Sequence, residues 1–208
     1  MDVRIIHFYP DLMDLYGSRA NVLALKRYLE RLDCDVTVEA VVPGGGTDIA
    51  RGDFFCMGAG TERAARAAMA DFARYGEALK AAAQDNAAML FAGTAMDLIG
   101  QTVKEPDGSS YEGLALASFH TVHGEKRIVG DVYGHTSLYP EALVGFMNKC
   151  GAVTGVETPL LTGLDLGFGN EKERGPEGFH WKNVFASQLT GPLLVKNPKL
   201  LETVAAAI

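Results

Sequence analysis

The stretch AAMLFAGTAMDLIG, residues 87–100, decides how this chain folds. It opens with an apolar run of strand length, meets a Gly, and continues with apolar residues at helical spacing. That is the layout of a buried strand turning sharply into a helix. In many α/β enzymes such a turn carries a nucleophile at its apex. Here the reading places Ala92 at the apex, and a methyl group has no reactive atom.

The same alternation runs outward from this point. VRIIHF (3–8) reads as a buried strand, and SRANVLALKRYLERL (18–32) as a helix with a stripe of Val22, Leu25, Leu29 and Leu32. Ser18 is expected to cap it, because a hydroxyl accepts from unpaired amides of the first turn. Strands are expected at 35–42 and 53–57, joined by a surface turn at 43–52. Residues 61–86 are Ala-rich and helical, with a break near Gly76. Strand, helix, strand, helix at this spacing predicts a parallel sheet covered on both faces.

The second half has shorter apolar runs at 127–134, 142–147 and 164–169, and a charged loop at 171–178. WKNVFASQL (181–189) reads as a strand and residues 197–208 as a closing helix, with Pro198 suited to its first turn. There is no repeat, low-complexity tail or linker, so the expectation is one domain over residues 1–208.

Composition narrows the function classes. The chain has 208 residues and a net charge of −7, the wrong sign for neutralising nucleic-acid phosphates. It has no apolar run of about 18 residues, so no membrane span is expected. MDVRIIHFYP lacks the basic start and long apolar segment of a secretory leader. Three cysteines, Cys34, Cys56 and Cys150, read as reduced thiols of a cytoplasmic protein rather than a disulfide frame. Metal-ligand spacing is lacking, and the Gly run at 43–46 is not followed by the Lys-Ser/Thr of a phosphate loop. No metal or cofactor is expected.

The order of motifs resembles the class I glutamine amidotransferase family in its cobyric-acid-synthase-like (CobB/CobQ-type) branch. The likeness covers nearly the whole chain. It rests on DLYGSRANVLALKRYLER, DFFCMGAGTER, AGTAMDLIG, PDGSSYEGLALASF, RIVGD, LVGF and LGFGNEKERGPEGFHWKNVFASQLTGPLLVKNP, in that order. The resemblance implies a mostly parallel sheet flanked by helices, in flavodoxin-like three-layer form. It also implies a glutaminase subunit working in peptidoglycan precursor amidation beside a MurT-like Mur ligase that uses ATP.

That chemistry needs a thiolate, a base and oxyanion donors. The family supplies Cys in a Cys-Gly-Gly-Tyr-Gln elbow and His in Leu-His-Gly-Pro. This chain reads Ala92-Gly93-Thr94-Ala95-Met96 and Leu189-Thr190-Gly191-Pro192. By this reading Ala92 stands at the nucleophile position and Thr190 at the His position. The Glu-Asn-His-Gly-Gly stretch is altered to MNKCG (147–151). A hydroxyl has no useful basicity near neutral pH, so glutaminase activity is expected to be absent. Separated replacements with further changes around the elbow read as erosion in the lineage.

Other residues keep two readings each. Gly58, Ala59 and Gly60 match the family's oxyanion loop, or form a plain strand-to-helix turn. Arg127 matches the position that holds substrate, where its fork would suit the carboxylate of glutamine or a related amino acid, or it is a surface Arg at a strand start. Cys56 reads as a buried thiol and His180 as structural. Cys150 is a candidate relocated nucleophile, without a neighbouring His in sequence. His120 and His123 fall in a loop-like region, either exposed or partner-binding. Three functions follow: a non-catalytic partner or regulator of the ligase, an amino-acid sensor, or a hydrolase with a relocated nucleophile.

Overall fold

The computed structural model describes residues 1–208. Its elements in chain order are β1 (Asp2–Phe8), α1 (Arg19–Glu30), β2 (Asp35–Val41), β3 (Phe54–Met57), α2 (Glu62–Phe72), α3 (Gly76–Gln84), β4 (Ala88–Ala92) and α4 (Ala95–Ile99). A second half follows with β5 (Thr102–Lys104), β6 (Ser110–Glu112), β7 (His120–His135), β8 (Leu143–Thr154), β9 (Gly163–Leu166), β10 (Phe179–Trp181), β11 (Val184–Ser187), β12 (Leu189–Thr190), α5 (Leu193–Lys196) and α6 (Pro198–Ala206).

The first sheet has six strands in the order β10-β11-β4-β3-β1-β2. All neighbours pair in parallel except β10, which runs antiparallel to β11. Period-two geometry explains why its strands read as unbroken apolar runs. Val3 and Ile5, Phe54 and Cys56, and Ala88 and Leu90 face one core with α1, α5 and α6. Ile6 and Phe8, Phe55 and Met57, and Met89 and Phe91 face the other core with α2 and α3. Both faces are buried, as in sheets built from crossover units.

The second sheet, in the order β12-β8-β7-β5-β6 with β9 on β7, is mostly antiparallel. One of its faces packs inward through Thr121, His123, Val132, Leu143 and Met147. The other leaves Val129, Tyr133 and Val144 exposed. Sequence reading cut this region too short: 127–134 and 143–147 lie in strands of 16 and 12 residues, the first interrupted by a bulge between His123 and Ile128. The alternation breaks there at the bulge, where the register shifts across the exposed Glu125, Lys126 and Arg127.

Three further expectations change. The run 181–189 is split among β10, β11 and β12, and the chain leaves the first sheet at Ser187 and enters the second at Leu189. Ser18 does not cap α1, because its own backbone is helical and its hydroxyl turns to Leu15 O and the Ala59 amide. Leu32 is 57% exposed, beyond the end of α1, while Val22, Leu25 and Leu29 carry the stripe. The break at Gly76 is present, as a 3₁₀ turn over Ala73–Tyr75 between α2 and α3.

Leu25→Ala is expected to lower unfolding free energy by about 2–5 kcal/mol, the usual range for a core Leu. Leu32→Ala should change it by less than about 0.5 kcal/mol. Urea denaturation of both variants measures the contrast, and equal losses would mean that the stripe extends past α1.

Candidate functional site

The β4–α4 turn is the centre of the site, but its apex lies one residue beyond the expected one. Ala92 still belongs to β4, paired with Ser187 and 1% exposed. Gly93 takes the left-handed backbone, φ 62°, which favours glycine. Its amide donates to Ser187 O at 2.8 Å, and its carbonyl accepts from Met96 N as α4 begins. A Cβ on Gly93 would lie 2.5 Å from Ala59 Cβ and 3.6 Å from Thr190 Cγ2. The side chain that this turn would present is therefore aimed between the 58–60 loop and Thr190. Ala92 and Thr190 do not form that pair; Gly93 and Thr190 do. Neither offers a nucleophile with a base, and the Thr190 hydroxyl is engaged with Phe146 O at 3.0 Å.

The Gly58-Ala59-Gly60 loop follows β3 beside this turn. Its close packing accounts for the small residues: a Cβ on Gly58 would sit 2.3 Å from Ser18 Cβ. Two of its amides are engaged within the fold. Ala59 N donates to Ser18 Oγ at 3.0 Å and Gly60 N to Thr94 Oγ1 at 2.9 Å.

Behind the turn lies a buried polar network. Asp97, in the middle of apolar α4, accepts from Gln188 Nε2 at 3.0 Å and Thr121 Oγ1 at 3.3 Å. Its second oxygen is 3.2 Å from His123 Nε2, and Glu105 lies 3.1 Å from His123 Nδ1. Burial disfavours the charged imidazole, but the two hydrogen-bonded carboxylates outweigh it and raise its pKa to about 9. His123 is thus neither loop-borne nor exposed; it is 5% exposed within β7, while His120 at the strand start is exposed. Lys149 Nζ donates to Gly169 O, Asn170 O and Gln188 Oε1 at 2.6–2.8 Å. Burial lowers its pKa to about 8.

Arg127 stands at the mouth. Its Nη1 donates to Glu62 Oε1 at 2.7 Å, while Nε and Nη2 hold Asn148 Oδ1 and Asn148 O. Cys150 Sγ donates to the same Glu62 oxygen at 3.4 Å. Burial first, and then the Glu62 carboxylate, raise the Cys150 thiol to about 11. A thiol so raised carries almost no thiolate at neutral pH. His123 shares the pocket with Cys150 but is a doubly paired cation, so it cannot take a proton. Cys56 is buried at 3% exposure, and burial raises its thiol far above the usual range. His180 is half-buried against the Phe185 ring on β10.

The space between Gly93, Glu62, Cys150 and Thr190 is about 10 Å³, roughly the room for one water. It does not admit glutamine in this conformation. A larger cavity of about 500 Å³ beside loop 170–176 holds none of the predicted site residues. Sequence reading missed Gly93, Glu62, Asp97, Lys149 and Gln188. Three carried a signal: Asp97 is the one charge in AMDLI, and Lys149 the one charge in LVGFMNKCGAVT. Gly93 also stood out as the one glycine at the strand-to-helix junction, the residue for a left-handed turn.

A sharp strand-to-helix turn at the end of a central parallel strand, facing a small-residue loop, is an arrangement that several classes of α/β enzyme share. The residues 4–198 match the model of the CobB/CobQ-like glutamine amidotransferase domain, and the chain belongs to that family. It is similar to the lipid II isoglutaminyl synthase (glutamine-hydrolyzing) subunit GatD of Staphylococcus aureus (strain N315), 28% identical over 201 residues, covering 97% of this chain and 82% of the relative. The subunit of the same name from Streptococcus pneumoniae (strain ATCC BAA-255 / R6) is 31% identical over 201 residues, covering 95% and 77%. Among solved structures, PurLQS from Thermotoga maritima superposes with a TM-score of 0.62 at 11% identity, covering 99% of this chain and 98% of that one. The glutaminase domain of Trypanosoma brucei CTPS gives 0.54 at 13% identity, covering 99% and 93%. The fold is the class I glutamine amidotransferase-like α/β architecture that the motif order implied.

Two predictions follow from this geometry. His123 keeps its proton in the folded state up to about pH 9, against about 6.5 unfolded, so its stabilisation is full below pH 6.5 and is lost as pH rises through 9. The stability difference between the protein and His123→Asn should fall by up to about 3 kcal/mol over that window. Denaturation at a series of pH values measures it, and a difference that is flat with pH would contradict the doubly paired cation. Separately, Gly93→Cys with Thr190→His should restore less than about a thousandth of an intact glutaminase's turnover, because the loop amides are engaged and the pocket is filled. Ammonia release from glutamine measures it; robust turnover would show that the surrounding shell is still competent.

Proposed function

We propose that this chain is a non-hydrolytic glutamine amidotransferase-like subunit that docks on a MurT-like Mur ligase and scaffolds or regulates it in peptidoglycan precursor amidation. The observation that carries this is the pairing of Gly93 with Thr190 at the turn where a nucleophile and its base would meet. Loss of a nucleophile from such a unit costs on the order of a million-fold in turnover. The relatives that this chain resembles are named as subunits of lipid II isoglutaminyl synthase, which supports a second chain as partner. The reading takes residues 1–208 as one domain, supported by apolar clusters that draw on both sheets. It places the subunit in the cytoplasm, supported by three unpaired cysteines. No helix is long and apolar enough to cross a membrane.

Two alternatives have less physical support. A relocated thiol nucleophile at Cys150 conflicts with its raised pKa. A glutamine sensor using Arg127 conflicts with the filled pocket.

The test has two arms. Purified protein with glutamine should release no ammonia above background, and affinity capture of the tagged chain from its native host should recover a Mur-ligase-like protein. Ammonia release abolished by Cys150→Ser would replace this reading with the relocated hydrolase. Capture without any Mur-ligase-like protein would remove the partner.

A further inference from the structure

An antiparallel sheet with one covered face ordinarily turns polar side chains to water on the other. The outer face of the second sheet departs from that pattern. Val129, Asp131 and Tyr133 alternate outward along β7, directly opposite Asn148, Phe146 and Val144 of β8. Leu166 of β9 lies opposite Tyr133 on its other side. Val129 is 55% exposed, Leu166 52%, Tyr133 41% and Val144 37%, and Phe146 is half-buried. The inward positions between them, Val132, Leu143 and Met147, already fill the core beneath. The outer row therefore forms a contiguous apolar strip that the fold itself leaves uncovered, the mark of a contact surface. One charge interrupts it. Asp131 is exposed between Val129 and Tyr133 and takes part in none of the chain's salt bridges. At one end the strip meets the mouth of the turn pocket, because Asn148, opposite Val129, also holds Arg127 and the Tyr16 hydroxyl.

We propose that this strip is the surface by which the chain docks on its ligase partner, an inference that rests on the non-hydrolytic subunit reading, and that Asp131 receives a cationic side chain of that partner. Charge selects the occupant. The chain carries a net charge of −7, so two copies repel one another. A two-fold contact between copies centred on the strip would also set Asp131 against its own counterpart, carboxylate to carboxylate. A different chain that offers apolar side chains around one Lys or Arg satisfies both the strip and the carboxylate. Such a contact has the usual anatomy of an interface, with aromatic and aliphatic side chains at its centre. The charge pair within it would fix the register of the two chains and reject partners without the cation. A partner seated here would also cover Arg127 and Tyr16 at the mouth of the pocket.

The test mixes the full-length chain with the Mur-ligase-like protein of its native host, produced separately, and measures the dissociation constant. Val129→Asp should weaken binding at least about thirtyfold, the loss of one interface hot spot. Asp131→Lys should weaken it at least about tenfold, because like charges then meet. Val38, also 41% exposed, lies on the edge strand β2 of the first sheet. Val38→Asp should therefore leave binding within about twofold. A second readout needs no substitution. Oxidation of the Tyr133 and Leu166 side chains by hydroxyl radical should slow at least about threefold in the complex, as at a desolvated interface centre. Oxidation of Leu32, 57% exposed beyond α1, should not change. Binding of Val129→Asp as tight as that of the unaltered chain overturns the proposal, as does unchanged oxidation of Tyr133 in a complex that forms. Both results leave the ligase partnership standing. A doubled mass of the chain alone, abolished by Val129→Asp, gives the strip to a second copy and also overturns the proposal. Failure of the unaltered chain to bind the ligase-like protein overturns the partnership and the docking surface together.

Discussion

The carboxylate of Asp97 is the joint on which the two sheets meet. It is 3% exposed and stands on α4, directly after the turn from the central strand β4. It accepts hydrogen bonds from Thr121 and Gln188 and faces the His123 ring. Thr121 and His123 belong to the second sheet, and Gln188 is the residue at which the chain passes from one sheet to the other. A buried carboxylate is costly unless every partner is present. Here the partners come from two separate segments, β7 and the crossing at Gln188, so the position of each is set by the need to satisfy the same group.

The network continues past Asp97. Gln188 Oε1 receives Lys149, and the Gln188 amide donates to Glu177, a fully buried carboxyl whose pKa burial raises. Lys149 finds two further acceptors in the backbone of Gly169 and Asn170. These bonds tie β8 to the loop that precedes β10. The donors and acceptors behind the β4–α4 turn are paired with one another, so this polar network is part of the packing between the two sheets.

How much of this was legible depends on what each residue's neighbours had to be. The first sheet could be read because both faces of its inner strands are buried, so PhePheCysMet at 54–57 and AlaMetLeuPheAla at 88–92 are apolar throughout. The helix break at Gly76 and the start at Pro198 follow from local backbone preference and were also legible. The long hairpin of β7 and β8 was not, because the charged run Glu125-Lys126-Arg127 crosses a bulge in β7, which looks like loop. Ser18 was misjudged because a hydroxyl near a helix start has two choices, and the decisive one, the Ala59 amide, is 41 residues away.

The sequence by itself determined the α/β class and the family, because these depend on residue identity, motif order and local periodicity. It placed the turn's apex at Ala92; the left-handed backbone falls instead on Gly93, because β4 keeps Ala92 extended opposite Ser187. Only the tertiary structure decided that His123 is a buried cation, that Lys149 is caged by carbonyls and Gln188, and that Arg127 already holds Glu62. Each of these depends on electrostatic partners 18 to 65 residues distant in sequence, and a charge has no preferred state until the fold supplies its counter-charge and removes its water.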